Sequence, residues 1–225
     1  MFNKKKYKHI IWDWNGTLLN DGWLFVDVMN TILKQRNLNQ ITLNDYREFF
    51  CFPVKEYYIK LGFDLDSEPF EKVGLEFINV YKNRRYDAEL YPGVRSLLNG
   101  LGQIGINHSI LSAQHQNLLD DSLKYYNIQS QFLLIVGLDN HYADSKIQNG
   151  INLIKQLNYN LENILLIGDT AHDFDVAQEI GVDSILLSHG HYSYSRLVQT
   201  DSMIVNNIID LSNLFNISIN GLYPN

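Results

Sequence analysis

The sequence predicts an α/β fold: a parallel sheet packed between helices, with a helical segment inserted after the first strand. Three observations carry that expectation. Short apolar runs alternate with amphipathic stretches along most of the chain, and each run ends in a polar or glycine-containing turn. One interval, residues 19–88, breaks the alternation with helical patterns alone.

The first run, His9-Ile10-Ile11-Trp12, reads as a buried strand that ends in the turn Asp13-Trp14-Asn15-Gly16-Thr17. Similar runs at 107–111, 132–136, 164–167 and 184–187 end in Ser112, Gly137, Gly168-Asp169 and Ser188-His189-Gly190-His191. Helical patterns at 94–101, 116–125, 146–157 and 171–179 separate them, Ile204 and Val205 suit an edge strand, and 208–215 suits a last helix. The inserted interval holds helix-like stretches at 25–34, 43–61 and 69–83, and Tyr91-Pro92-Gly93 punctuates the return to alternation. The expected division is a core of residues 1–18 and 89–225 and a helical unit of residues 19–88. Open parallel sheets bind ligands beyond the carboxyl ends of their strands, where Asp13, Ser112 and Asp169 fall.

Composition narrows the function. A chain of 225 residues that is 45% hydrophobic can bury a sizeable core. Its 25 acidic against 18 basic side chains, a formal charge of −7, argue against a nucleic-acid partner. The Lys4-Lys5-Lys6 run reads as a solvated terminus. The single cysteine, Cys51, excludes an intrachain disulfide, and its neighbours Phe49, Phe50 and Phe52 suit a buried packing role. No apolar run reaches the ~18 residues a bilayer span needs. The first residues lead into a strand instead of a signal-peptide core, so the expected compartment is the cytoplasm, with no membrane partner.

Asp13 is presented on a tight turn, and a carboxylate attacks a phosphoryl group only where the phosphate's own charge is neutralised. Candidates for that task recur at the other strand ends. Asp169 and Asp173 would set two carboxylates at a strand end and on the first turn of the next helix, a sparse oxygen set that suits Mg²⁺. Lys146 opens a helix and offers a compact cation, and Ser112 with the amides near Ala113 and Gln114 offers donors. Taken singly each has an ordinary role. Asp13 suits an Asx-turn, Ser112 a helix N-cap, Lys146 a solvated surface, and Asp173 the positive end of a helix.

Four motifs in order, Asp13-Trp14-Asn15-Gly16-Thr17-Leu18, Ser112, Lys146 and Gly168-Asp169-Thr170 with Asp173, resemble the haloacid dehalogenase superfamily over essentially the whole chain. Tyr91-Pro92-Gly93-Val94, Ala177 and Gly181 make it most similar to the phosphoglycolate phosphatase-like branch. The resemblance implies a Rossmann-like core with a helical cap, and an Mg²⁺-dependent phosphatase acting on a small phosphorylated metabolite as a monomer or homodimer. It implies an aspartyl-phosphate at Asp13, phosphate binding by Ser112, Ala113 and Lys146, and metal ligation by Asp13, Asp169 and the backbone carbonyl of Asn15, with Asp173 supporting the metal.

Asn15 departs from that pattern, because phosphatases of the superfamily carry an aspartate there that shuttles a proton. An amide cannot do so, and loss of a general acid/base costs ~10²–10⁴-fold in rate. Three consequences are open: a slow phosphatase, a preference for good leaving groups such as acyl or aryl phosphates, or a substitute proton carrier. His115 and His172 are candidate substitutes; His189 and His191, after the fifth strand, could likewise face the site, although a surface loop is the preferred reading for both. The alternative function is a weak or inactive phosphate-sensing or partner-binding protein. A Schiff-base phosphonatase would need a desolvated lysine among Lys34, Lys55 and Lys60, which nothing local marks. Trp12 and Trp14 read as packing residues. Among the insertion's aromatics, Trp23 and Phe25 are the ones expected to meet substrate or the cap hinge.

Overall fold

The computed structural model describes residues 3–138 and 146–219. Six strands form one parallel sheet: β1 (His9–Trp12), β4 (Asn107–His115), β5 (Leu134–Leu138), β6 (Ile164–Gly168), β7 (Asp183–Leu187) and β8 (Met203–Val205). Their order is β5-β4-β1-β6-β7-β8, so β1 lies inside the sheet with β4 on one side and β6 on the other. Strand order reverses at β1, which opens a crevice at its carboxyl end.

All four residues of β1 are buried, as a strand covered on both faces requires. Ile10 and Trp12 pack on one face with Ile110, Leu165 and Ile167, against Leu97 and Leu98 of α5 (Val94–Gln103). Ile11 packs on the other face with Leu111 and Leu166, against Leu153 of α7 (Lys146–Gln156) and Val176 of α8 (Ala171–Ile180). The two-residue period of the strands thus builds two cores. The indole of Trp12 donates to His108 Nδ1 at 3.2 Å, which satisfies its one polar atom inside the sheet.

Four helices lie between β2 (Leu19–Asn20) and β3 (Glu89–Leu90): α1 (Gly22–Gln35), α2 (Leu43–Phe49), α3 (Val54–Lys60) and α4 (Phe70–Arg84). β2 and β3 pair antiparallel, Leu19 with Leu90 and Asn20 with Glu89, so the chain leaves the core and returns to it side by side. The stretch expected as one helix over 43–61 is two. Pro53 has no N–H and restricts Phe52, and the first helix ends before that pair.

Two strand boundaries also move. β4 runs to His115, four residues beyond the expected end, with a register shift after Leu111; β5 begins at Leu134 because the residues before it form a short turn over Gln129–Gln131. α6 (Gln116–Tyr125), α9 (Tyr194–Leu197) and α10 (Ile208–Phe215) complete the order. The lysine run is more anchored than a solvated terminus: Lys6 pairs with Asp183 at 2.6 Å, and Lys4 donates to the Phe215 carbonyl at 3.2 Å. Cys51 is buried. Among the described residues no helix is long and apolar enough to cross a membrane.

Candidate active site

Asp13 is the first residue past β1, and its N–H donates to the Ile167 carbonyl at 2.8 Å, extending the β1–β6 ladder by one bond. Asp169 follows β6, and Ser112 lies within the extended end of β4. Because β4 and β6 flank β1, the three residues lie at the carboxyl ends of neighbouring strands, Asp13 and Asp169 just past theirs and Ser112 three residues before the end of β4. Lys146 begins α7 and reaches across to them, with Nζ 2.5 Å from Asp13 Oδ1 and 2.6 Å from Asp173 Oδ1. Asp13, Asn15, Ser112, Ala113, Lys146, Asp169 and Asp173 all line one cavity of about 230 Å³.

Local structure fixes each group. Thr170 and Asp173 form a capping box at the start of α8, in which Asp173 Oδ2 accepts from the Thr170 N–H at 3.0 Å and its hydroxyl at 2.7 Å. The helix-terminus role and the contact with Lys146 therefore coexist in one carboxylate. Asp169 accepts from Thr17 Oγ1 at 2.8 Å and from the His191 N–H at 2.6 Å. Gly16 adopts φ +75°, and a Cβ there would lie 2.3 Å from Asp169 Oδ2, so the turn after β1 closes on the β6 end only with glycine. Ser112 is not a helix N-cap. Its Oγ accepts from the Gln114 N–H at 3.1 Å, and His115 caps α6 instead.

Oxygen atoms of Asp13, Asp169 and Asp173 lie within 4.8 Å of one another, all three buried. Burial raises the affinity of Asp13 and Asp169 for a proton above the ordinary carboxylate range, and repulsion from Asp173 adds to it in both. Burial pushes Asp173 the same way, but Lys146 and Thr170 outweigh it and hold Asp173 below the ordinary value. Lys146 stays charged although burial opposes it, because two carboxylates face its ammonium. One cation against three buried carboxylates leaves excess negative charge, and a small hard dication fits such a set of oxygens.

The Asn15 side chain points away from those carboxylates. Its Nδ2 donates to Asp21 Oδ2 at 2.5 Å and lies 2.9 Å from the Tyr81 hydroxyl. Asp21 is fully buried, and it also accepts from the Gly16 N–H at 3.0 Å and from Tyr81 at 2.8 Å. His191 Nε2 lies 3.3 Å from Asp21 Oδ1 without the alignment of a hydrogen bond. Sequence reasoning missed Asp21 and Tyr81. The Asn-Asp-Gly turn at 20–22 marks Asp21 as the residue before a helix, but no local signal reveals a contact with Asn15.

The histidines divide differently from expectation. His191 is buried and lines the cavity instead of a surface loop, because its ring packs against Gly16 and shares a hydrogen bond with the Tyr46 hydroxyl at 2.8 Å. His189 stacks on Tyr91 with ring centres 3.7 Å apart and does not line the cavity. His115 lines it, whereas His172 packs beside Phe52 outside the lining. Lys34, Lys55 and Lys60 are exposed and none lines the cavity, so no lysine of the insertion is placed for a Schiff base there. Trp12 and Trp14 are fully buried. Phe25 faces the cavity, while Trp23 is exposed and does not.

A family model described as haloacid dehalogenase-like hydrolase matches residues 10–187. Phosphoglycolate phosphatase of Caulobacter vibrioides is 25% identical over 190 residues, covering 81% of this chain and 79% of its own. The enzyme of that name from Rhodobacter capsulatus is 22% identical over 186 residues, covering 81% and 84%. Among solved structures, a haloacid dehalogenase-like hydrolase of Streptococcus pneumoniae superposes with TM-score 0.78 at 20% identity, covering 93% of this chain and 99% of that one. Protein tyrosine kinase A of Mycobacterium tuberculosis superposes with TM-score 0.80 at 20% identity, covering 95% and 100%. The family match spans β1 through β7 and so takes in every strand end that carries a site residue; the chain belongs to the haloacid dehalogenase-like hydrolases.

Proposed function

We propose that the protein is an Mg²⁺-dependent phosphomonoesterase that acts on a small phosphorylated metabolite through an aspartyl-phosphate at Asp13. The observation that supports it is the convergence of Asp13, Ser112, Lys146 and Asp169 on one cavity at neighbouring strand ends. Asp13 and Asp169, with the Asn15 carbonyl, would hold the metal, and Asp173 would support it. The ion would supply positive charge beside the phosphoryl oxygens.

Asp13 attacks phosphorus in line as the ester oxygen leaves with its electron pair, and water then cleaves the acyl phosphate to restore the carboxylate. Lys146 balances charge beside the nucleophile and keeps Asp13 oriented by its 2.5 Å contact. Ser112 already accepts from Gln114, so its own hydroxyl proton is available to a phosphoryl oxygen, and the Ala113 amide adds to that cradle. The helices α1–α4 act as a cap that excludes bulk water and large polymers. The acidic balance argues against a nucleic-acid partner, and a cytoplasmic monomer or homodimer with no membrane partner completes the proposal. Release of phosphate from p-nitrophenyl phosphate tests the reading: it requires Mg²⁺ and disappears in Asp13→Asn, and undiminished turnover in excess chelator sinks it.

One observation favours a second reading. The Asn15 amide is committed to Asp21 and Tyr81 and can carry no proton, which fits a barely catalytic phosphate-sensing protein. Inorganic phosphate binding with no measurable turnover of any ester would distinguish it.

A further inference from the structure

We infer that the substrate is a phosphate monoester of a single-ring aromatic alcohol carrying a polar substituent, and not a carboxylated ester such as phosphoglycolate; the inference rests on the phosphatase reading above. Beyond the strand-end residues, the cavity is walled by the insertion's rings. Contacts step away from His191 through Tyr46 at 5.6 Å, Tyr57 at 5.8 Å, Tyr58 at 6.0 Å and Phe70 at 5.2 Å, and all four rings line the cavity. Aromatic walls reward a flat apolar body through burial and edge-to-face packing.

The volume sets the size of that body. A dry cavity of roughly 150 Å³ holds a benzene ring. A cavity of about 230 Å³ therefore has room for one ring and a phosphoryl group.

Charge argues against a carboxylate. Among the described lining residues, Lys146 is the one lysine and no arginine is present, and Lys146 is already shared by Asp13 and Asp173. A second anion would lie among the insertion's rings, away from the strand-end carboxylates and any ion they hold, with no lining cation of its own to meet it. Among the described lining residues three buried polar atoms lack a hydrogen-bond partner, Gln114 Oε1, His191 Nε2 and the Tyr57 hydroxyl, and the last lies among the insertion's rings. Tyr57 is 2% exposed, and its hydroxyl has no hydrogen-bond partner, so a donor or acceptor on the ring would satisfy it.

The chemistry of position 15 points the same way independently. Without a general acid, the P–O bond breaks readily only where the departing oxygen carries its electron pair unprotonated. A phenol ionises near ~10, against ~15.7 for water, so aryl oxide is such a group. Asp13 Oδ bonds to phosphorus as the aryl oxide departs. Water then splits the acyl phosphate, and its protons end on the phenol and the phosphate.

The experiment measures affinity and turnover separately, using the full chain with Mg²⁺. By calorimetry, 4-hydroxybenzylphosphonate should bind ~tenfold or more tightly than phosphonoacetate. Tyr57→Phe, which keeps the ring, should erase the advantage of 4-hydroxybenzylphosphonate over benzylphosphonate. Phenyl phosphate should exceed 2-phosphoglycolate in kcat/KM. Equal or reversed phosphonate affinities, or binding of neither, overturn the inference; with phosphoglycolate still turned over, the phosphatase reading survives. The expected affinity order with no turnover of any ester supports the ligand class and overturns the phosphatase reading instead.

Discussion

Asn15 donates to Asp21 across 2.5 Å inside the protein, and the carboxylate it meets is fully buried. The amide at position 15 is therefore matched to an acceptor. An aspartate there would press two carboxylates together away from solvent, a contact that neutralises one of them or destabilises the fold.

Asn15→Asp alone should thus fail to raise turnover of an alkyl phosphate and should lower the urea midpoint. The exchange Asn15→Asp with Asp21→Asn keeps one carboxylate and one amide in contact and should raise that turnover by ~10²-fold or more. Steady-state kinetics with glycerol 3-phosphate checks both. A large gain in the single variant would show that Asp21 does not constrain the site.

Gly16→Ala should be severely destabilising, because the added Cβ would lie 2.3 Å from Asp169 Oδ2 and from His191 Cδ2. The left-handed backbone alone costs a non-glycine residue about 1–2 kcal/mol, and overpacking adds about 1–3 kcal/mol. Urea denaturation should therefore show a loss of roughly 2–5 kcal/mol, and activity should fall with it.

Metal binding should be visible without turnover. At saturation ~100-fold above its dissociation constant, Mg²⁺ should stabilise the fold by about 2.7 kcal/mol in thermal unfolding. Asp169→Asn removes one of the three clustered carboxylates and should abolish the Mg²⁺-induced shift. A full shift in that variant would place the ion elsewhere.

Stability should fall in mild acid for a reason inside the sheet. Burial pushes His9 and His108 down to about 4, and His108 Nδ1 accepts the Trp12 indole proton, which requires the neutral ring. An unfolded histidine takes its proton near ~6.5, so between that pH and about 4 the unfolded chain binds more protons than the native one. The stabilisation is intact above the upper limit and is lost as pH falls through the window. His108→Asn should reduce the slope of unfolding free energy against pH there by up to ~1.4 kcal/mol per unit. An unchanged slope would assign the acid sensitivity to other groups.

What the sequence made legible was the part of the site written at strand ends and helix starts. Asp13 and Asp169 each follow a short apolar run, and Lys146 opens an amphipathic stretch, so a parallel topology brings them together. The Asp21–Tyr81 contact was not legible, because the two lie 60 positions apart, one just before α1 and the other within α4, and no local pattern encodes how those helices pack. The break within 43–61 was masked for another reason. Apolar periodicity continues through Phe50 and Phe52, and only the backbone restriction at Pro53 contradicts it. β4 overran its apolar run because β5 pairs with it as far as His115, a tertiary effect that composition does not carry.

The narrow ribbon of Leu19-Asn20 and Glu89-Leu90 looks like a natural splice point for exchanging everything between its two crossings. Yet Asp21 and Tyr81 lie just inside it, and together they receive the Asn15 side chain from the other side of the seam. A transplanted roof without a carboxylate at position 21 would strand that amide without its acceptor, so position 15 and the helices above it must be exchanged as a unit.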